Sequence, residues 1–316
     1  MGSLKVLYIA GSGRSGSTIL GNMLGQIEGF VHVGELYFIW SHGLIHNHLC
    51  GCGQPIRECV MWQAVFADAY GGMDQVNPQR MISDFKQYGG DRYKPPSLAK
   101  GEKRLRSSEA EEYFARLRAL YQSIQSVNHA RVIVDGSKIH TQAYALSMMK
   151  DIELHMLHLV RDPRGVVYSW QRKKRTVGAG DREYMDRFGT GRSSFKWSMR
   201  NVFVSMVARQ PAVHYHFLRY EDFIKNPRAT LRRILEWLEE ESDLQFMTSQ
   251  NEAELHIPQH AIHGNPVRFK TGKKTTLRVD DAWITDLGTI DKVLTTLLTL
   301  PLLKKYGYAV GLNSSR

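Results

Sequence analysis

The sequence predicts an α/β chain of three layers, a mainly parallel central sheet flanked by helices. Two patterns carry that expectation. Short, β-branched or apolar strand candidates recur at Val6 to Ala10, Phe30 to Val33, Arg131 to Val134, a run ending at Val160, and Val213 to Leu218, with helical segments between them. Polar turns stand just beyond the ends of these runs, where open α/β sheets gather their ligand-binding residues. The first turn, Gly11-Ser12-Gly13-Arg14-Ser15-Gly16-Ser17-Thr18, joins a strand to a helix and is of the P-loop type.

The chain has 316 residues, 42% of them hydrophobic and 23% charged, enough to bury a sizeable core. It reads as a single domain over residues 1–316, with an irregular insertion, cysteine-containing and then basic, at about 41–107. A net charge of +11 points to anionic partners such as nucleotides, sulfated or phosphorylated substrates, nucleic acid or acidic membranes. No apolar run approaches the roughly 20 residues of a membrane span. The first strand begins almost at Met1, leaving no room for a signal peptide, and three cysteines fit a reducing compartment, so a cytoplasmic location is expected.

In the first turn, successive backbone N–H groups and the dipole of the following helix form an anion cradle. Gly11, Gly16 and Thr18 fit the nucleotide-triphosphate pattern G-x-x-x-x-G-K-[ST], but Ser17 replaces the lysine that would reach the β- and γ-phosphates. The cation sits three residues earlier, on Arg14. Arg14-Ser15-Gly16-Ser17-Thr18 resembles the 5′-phosphosulfate loop of sulfotransferases that use 3′-phosphoadenosine 5′-phosphosulfate (PAPS). The resemblance implies that these five residues hold the phosphosulfate.

Beyond the second strand stands Gly34-Glu35, a carboxylate at the sheet rim. Tyrosylprotein-type sulfotransferases carry a Gly-Glu at this distance from the loop, which implies Glu35 as general base. Phe38 stands where that subgroup has an arginine, which points away from a peptide tyrosine acceptor. The stretch SHGLIHNHLCGCGQPIRECVMW follows, with His42, His46, His48, Cys50, Cys52 and Cys59. Thiolates and imidazoles this dense suit zinc, but Cys-x-Cys-x6-Cys is no standard finger spacing and supplies only three cysteines. A metal site, a disulfide and free thiols in a lid all remain open. The ending Cys59-x-x-Trp62 resembles bacterial sulfotransferases.

Residues Gly71 to Ser107 read as irregular, and Ser108 with Glu111 as a capping box opening a helix to about Val127. After the strand Arg131 to Val134 comes Asp135-Gly136-Ser137-Lys138-Ile139-His140. An extended turn would aim Lys138 and His140 the same way. The stretch resembles the Lys-x-His of cytosolic sulfotransferases, which implies Lys138 at the leaving group and His140 as a rival to Glu35 for the base.

The second anchor is LHMLHLVRDPRGVVYSW, Leu154 to Trp170. Asp162 is a fitting N-cap and Pro163 a fitting first helical residue. Arg161 and Ser169 sit at the separation with which sulfotransferases hold the 3′-phosphate of PAPS. A rival reading takes Asp162 as the magnesium carboxylate of a P-loop kinase; a second makes the chain a non-catalytic polyanion binder. A basic, glycine-containing stretch, Lys173 to Arg192, reads as a surface loop beside the acceptor cleft. A helix then follows from about Ser194, with Trp197 and Phe203 on its buried side. Tyr220-Glu221-Asp222 resembles the family's adenine-side motif, and the basic loop with Arg268, Lys270 and Gly272 its 3′-phosphate clamp. The resemblance thus implies transfer of a sulfuryl group from PAPS to an acceptor hydroxyl, less readily an amine. No nucleic acid partner and no metal are needed, because fixed cations and N–H dipoles do the electrostatic work.

Overall fold

The computed structural model describes residues 4–90, 107–176, 184–269, 272 and 274–311. Five parallel strands form the central sheet: β1 (Leu4–Gly11), β2 (Phe30–Gly34), β3 (Val132–Asp135), β4 (Ile152–Val160) and β5 (Val213–Arg219), in the order β2-β3-β1-β4-β5. The first strand is central, paired along its length with β4, from Leu4 against Ile152 to Gly11 against Leu159. Because side chains alternate across a strand, Val6, Tyr8 and Ala10 enter one core while Leu7 and Ile9 enter another on the opposite face. Burial on both faces is why these strands read as continuous apolar runs.

On one face lie α2 (Val60–Tyr70), α4 (Ser108–Val127) and α5 (His140–Ser147); the other is covered by α1 (Ser17–Leu24) and α9 (Pro227–Leu238). Between α2 and α4 lies α3 (Pro78–Asp84), and α8 (Tyr220–Lys225) precedes α9. The helices α6 (Pro163–Gln171), α7 (Thr190–Val207) and α11 (Thr289–Lys305) pack together beyond β4, with α10 (Trp283–Asp286) against α6. A hairpin of β6 (Glu252–Glu254) and β7 (Lys274–Thr276) stands apart from the main sheet. None of the described helices is long and apolar enough to cross a membrane.

Local signals act where expected, with two shifts. Asp162 caps α6 by accepting from the Arg164 N–H at 2.9 Å, and Pro163 takes the first helical position. The cap of α4 is Ser107 rather than Ser108: its hydroxyl accepts from the Ala110 N–H at 3.2 Å. The stretch expected to be irregular instead holds α2, α3 and two wide helical turns, Ile39–Ile45 and Phe85–Gly89, whose apolar side chains join the core under β2. Its basic part, 91–106, lies outside the described residues.

Parallel order puts every strand's C-terminal end at one rim, and close backbone approach there requires glycine. Gly11 has φ +130°, and a Cβ on it would lie 2.3 Å from the Leu159 carbonyl oxygen. Gly11→Ala should therefore cost on the order of 1–3 kcal/mol. A lowered urea midpoint with an unaltered slope would show it; an unchanged midpoint would mean that the β1–β4 contact yields freely.

Candidate active site

The loop between β1 and α1 is shaped by its neighbours. Arg14 holds the left-handed conformation (φ +69°), uncommon for a residue with a Cβ. It is braced by the face of Trp170, 4.4 Å from its guanidinium carbon, and by the Met185 sulfur at 3.4 Å from both terminal nitrogens. Gly16 (φ +86°) caps α1 above Tyr220, whose ring would stand 2.6 Å from any Cβ there. Only glycine lets the helix N-terminus descend onto that ring.

Arg161, at the end of β4, ties three pieces together. Its guanidinium donates to the Arg14 carbonyl at 3.2 Å and the Asp280 carbonyl at 2.6 Å, and lies 4.7 Å over the Tyr220 ring. Ser169, on α6, is buried, with the Lys174 ammonium 3.5 Å from its hydroxyl.

Glu35 and Lys138 meet across β2 and β3, with Lys138 Nζ 2.9 Å from Glu35 Oε1 and 2.7 Å from the Gly136 carbonyl. Both are anchored from below. The Glu35 N–H donates to the Ile262 carbonyl at 2.7 Å. Buried Asp135 accepts from the Ser137 N–H at 2.8 Å and from the Tyr121 hydroxyl at 2.6 Å, while Ser137 Oγ accepts from the Tyr37 N–H at 2.9 Å. Burial pushes the Glu35 carboxyl up, but the Lys138 ammonium, then His263 and Arg200, outweigh it and hold Glu35 below its ordinary range. Glu35 is thus an ionised carboxylate facing the cleft.

These groups line one cleft of about 740 Å³, within the size range of small-molecule sites. Arg14, Gly16, Ser17, Thr18, Glu35, Lys138, Arg161, Ser169 and Tyr220 all face it. Ser15 lies in the same loop but is buried behind it, its hydroxyl without a hydrogen bond. Among the described residues, eight cations line the cleft against three carboxylates, Glu35, Asp186 and Asp280. Burial lowers the affinity of Arg14 and of Lys174 for their protons, though Glu35 and Asp186 partly restore that of Arg14.

Three expected residues lie elsewhere. His140 is the first residue of α5, buried with its ring centre 4.7 Å from that of Phe203, and does not line the cleft. The extended turn expected to align it with Lys138 is instead left-handed at Lys138 (φ +62°), with Ile139 clamped by the Tyr8 hydroxyl. Arg268 turns inward: it donates to the Gly264 carbonyl at 2.9 Å and the Leu49 carbonyl at 3.4 Å, and burial lowers its pKa to about 10. It braces the loop carrying His263 and Gly264, which do face the cleft. Gly272 donates to the Leu255 carbonyl at 2.7 Å, in the β6–β7 hairpin. Lys270 lies outside the described residues. Asp162, the carboxylate of the kinase reading, is sealed in a buried pair with Arg164 at 2.7 Å and does not reach the cleft.

Sequence reasoning overlooked the cationic face of α7: Arg192, Lys196 and Arg200 stand four residues apart, on one side of the helix, and all line the cleft. That spacing was available in the sequence. The histidines near the insertion form a wall. His42 stacks on His263 at 4.4 Å and on His48 at 4.9 Å, and burial with the neighbouring imidazoles pushes His42 down to about 3. His32 lies against Gly21, and burial with the nearby Lys138 charge likewise pushes it down to about 3.

Residues 5–280 match the family described as "Sulfotransferase domain". Carbohydrate sulfotransferase 6 of Homo sapiens is 23% identical over 299 residues, covering 88% of this chain and 74% of the human protein. Among solved structures, the sulfotransferase domain from the Synechococcus PCC 7002 olefin synthase superposes with a TM-score of 0.52 at 19% identity, covering 98% of this chain and 96% of that one. The sulfotransferase domain from the curacin biosynthetic pathway gives 0.51 at 17% identity, covering 96% and 98%. These two likenesses concern the fold.

The Glu35–Lys138 pair makes a stability prediction. A carboxyl whose pKa is lowered on folding stabilises the fold above its unfolded value, and that gain disappears as pH falls through the folded value. Glu35→Gln should therefore be less stable than the parent at neutral pH, with the gap closing as pH drops below about 4.5 and on through the lowered value. Lys138→Met strands a half-buried carboxylate and should cost less than the roughly 3–5 kcal/mol of a fully buried one, by whatever solvent, His263 and Arg200 recover. Urea titrations of both variants across pH read this directly; a gap for Glu35→Gln that is independent of pH would refute the ionised pair.

The chain belongs to the sulfotransferase family, and its chemistry is the transfer of a sulfuryl group.

Proposed function

We propose that the sulfuryl donor is PAPS, that the acceptor offers a hydroxyl (less readily an amine), and that Glu35 is the general base. The observation that carries this reading is the Glu35–Lys138 pair, a carboxylate held ionised 2.9 Å from an ammonium, with both groups facing the same cleft as Arg14 and Thr18. The residues suit a doubly phosphorylated nucleotide. The loop presents N–H groups at a helix N-terminus, Gly16 leaves room that a Cβ would fill, and Arg14 Nε is buried without a hydrogen bond.

On this reading Arg14, Ser15, Gly16, Ser17 and Thr18 hold the 5′-phosphosulfate. Arg161 and Ser169 hold the 3′-phosphate, and Tyr220 lies beside the adenine. Arg192, Lys196 and Arg200 add positive potential along the open side. Arg268 keeps the His263–Gly264 loop in place and does not contact the nucleotide.

Glu35 accepts the proton of the acceptor hydroxyl as the acceptor oxygen bonds to sulfur. The bond from sulfur to the bridging phosphate oxygen breaks, and its electron pair stays on that oxygen, where Lys138 donates a hydrogen bond. Products are the sulfated acceptor and 3′,5′-bisphosphoadenosine. Lys138 thus has two partners in sequence, Glu35 and the leaving oxygen, and it leaves the carboxylate at the moment Glu35 needs to gain basicity. His140, buried against Phe203, supports α5 instead.

Two outcomes are expected. Without magnesium, 3′,5′-bisphosphoadenosine should raise the melting temperature more than ATP does, and Arg161→Ala should weaken its binding by about 1.5–3 kcal/mol. Equal stabilisation by both nucleotides would overturn the donor assignment. At saturating PAPS and with any acceptor that turns over, Glu35→Gln should lose about 10²–10⁴-fold in kcat while keeping donor affinity, and His140→Gln should lose far less. The reverse ranking would return the base to His140.

A further inference from the structure

Three cysteines take no part in the proposed transfer, and the fold brings a fourth ligand to them. Cys50 and Cys59 are buried and Cys52 half-buried, and His260 arrives from a segment 201 residues beyond Cys59. The three sulfurs and one ring nitrogen of His260 all lie within 4.8 Å of one another. Cys52 Sγ is 3.8 Å from Cys59 Sγ, and His260 Nδ1 is 3.7 Å from Cys50 Sγ and 3.2 Å from Cys59 Sγ.

Those three spacings are close to edges of a metal tetrahedron. Zinc bound to thiolates at about 2.3 Å and imidazole at about 2.0–2.1 Å separates two sulfurs by about 3.8 Å and sulfur from nitrogen by about 3.6 Å. A disulfide needs sulfurs at about 2.05 Å. We propose that Cys50, Cys52, Cys59 and His260 form a structural Cys3His zinc site.

The surroundings fit such a site. Backbone N–H groups of Cys52, Gln54 and Trp62 point at the sulfurs of Cys50, Cys52 and Cys59, the outer shell that offsets thiolate charge. Gly53 turns the chain at φ +92°, and a Cβ on Gly51 would lie 2.3 Å from the Gln259 carbonyl oxygen, so the turn is pressed against the histidine's own segment. The Trp62 indole donates to the His260 carbonyl at 3.1 Å and fixes the fourth ligand's backbone. Three thiolates and an imidazole select zinc over magnesium or calcium, and four protein ligands leave no open position for catalysis.

The site would fasten the segment after β2 to the loop that forms one wall of the cleft. His260 lies two residues before Ile262, whose carbonyl accepts from the Glu35 N–H and whose own N–H donates to the Val33 carbonyl at 2.8 Å. His263 and Gly264 follow directly and face the cleft. Removing the metal would loosen the wall against which Glu35 is held.

The test is metal analysis of the full chain, purified without added metal and then offered zinc. One zinc per chain is expected, released together with three titratable thiols when the protein is denatured. Cobalt in place of zinc should give a thiolate-to-cobalt charge-transfer band and the d–d absorption of a tetrahedral ion. Cys59→Ser and His260→Ala should bind substoichiometric zinc, while His260→Cys should retain it. Since a variant can fail to fold, the parent protein decides alone: three free thiols with no zinc bound after loading, or a Cys52–Cys59 disulfide, would overturn the site. So would full zinc occupancy in both weakened variants. None of these readouts depends on the donor or on turnover, so this proposal and the proposed function can fail separately.

Discussion

Among the described residues eight cations crowd a single cleft, and the rest of the structure is arranged to keep them there. Two like charges 4 Å apart near a protein surface repel by about 4 kcal/mol, so such a cluster holds only where each member has a partner fixed by the fold. Lys138 has the Glu35 carboxylate and the Gly136 carbonyl. Arg161 has the Arg14 and Asp280 carbonyls and the Tyr220 ring. Arg14 has softer partners, an indole face and a thioether, together with an Nε that makes no hydrogen bond. Of these three, Arg14, held in the left-handed conformation in the loop between β1 and α1, is the one without a carbonyl or carboxylate hydrogen bond among the described residues. On the proposed function, an anion bound beside Arg14 would relieve part of that repulsion, which ties affinity to the fold's own electrostatic cost.

What the sequence discloses of this arrangement is whatever depends on near neighbours. Strand runs, the glycine turn, the Asp162 cap and Pro163 are local, and the parallel rim follows from strands that alternate with helices. Glu35 was legible because a residue just past a strand end must sit at that rim. His140 was misplaced for a long-range reason that the sequence does not announce. A left-handed lysine is uncommon, and the turn at Lys138 is set by the Tyr8 hydroxyl, 131 residues away on β1. Arg268 turned inward because two carbonyls, one on the Leu49 segment, were in reach. The cysteine spacing matched no standard finger because its fourth partner, His260, lies far along the chain. Long-range closure, not chemistry, was the missing information.

The replacement of the loop lysine by Ser17 has a structural counterpart. In nucleotide-triphosphate loops the lysine and a strand-end carboxylate work together, one on the phosphates and the other through magnesium. Here both parts are reassigned. The ammonium facing the cleft is Lys138, from the turn after β3, and the carboxylate paired with it is Glu35, just beyond β2. The carboxylate after β4, Asp162, is spent on Arg164 and on the cap of α6. Lysine and carboxylate thus face each other at hydrogen-bond distance, and on the proposed function one takes the acceptor's proton while the other meets the leaving charge. The same fold start, a strand, a glycine turn and a helix, is turned to a different transfer by moving one cation and burying one acid.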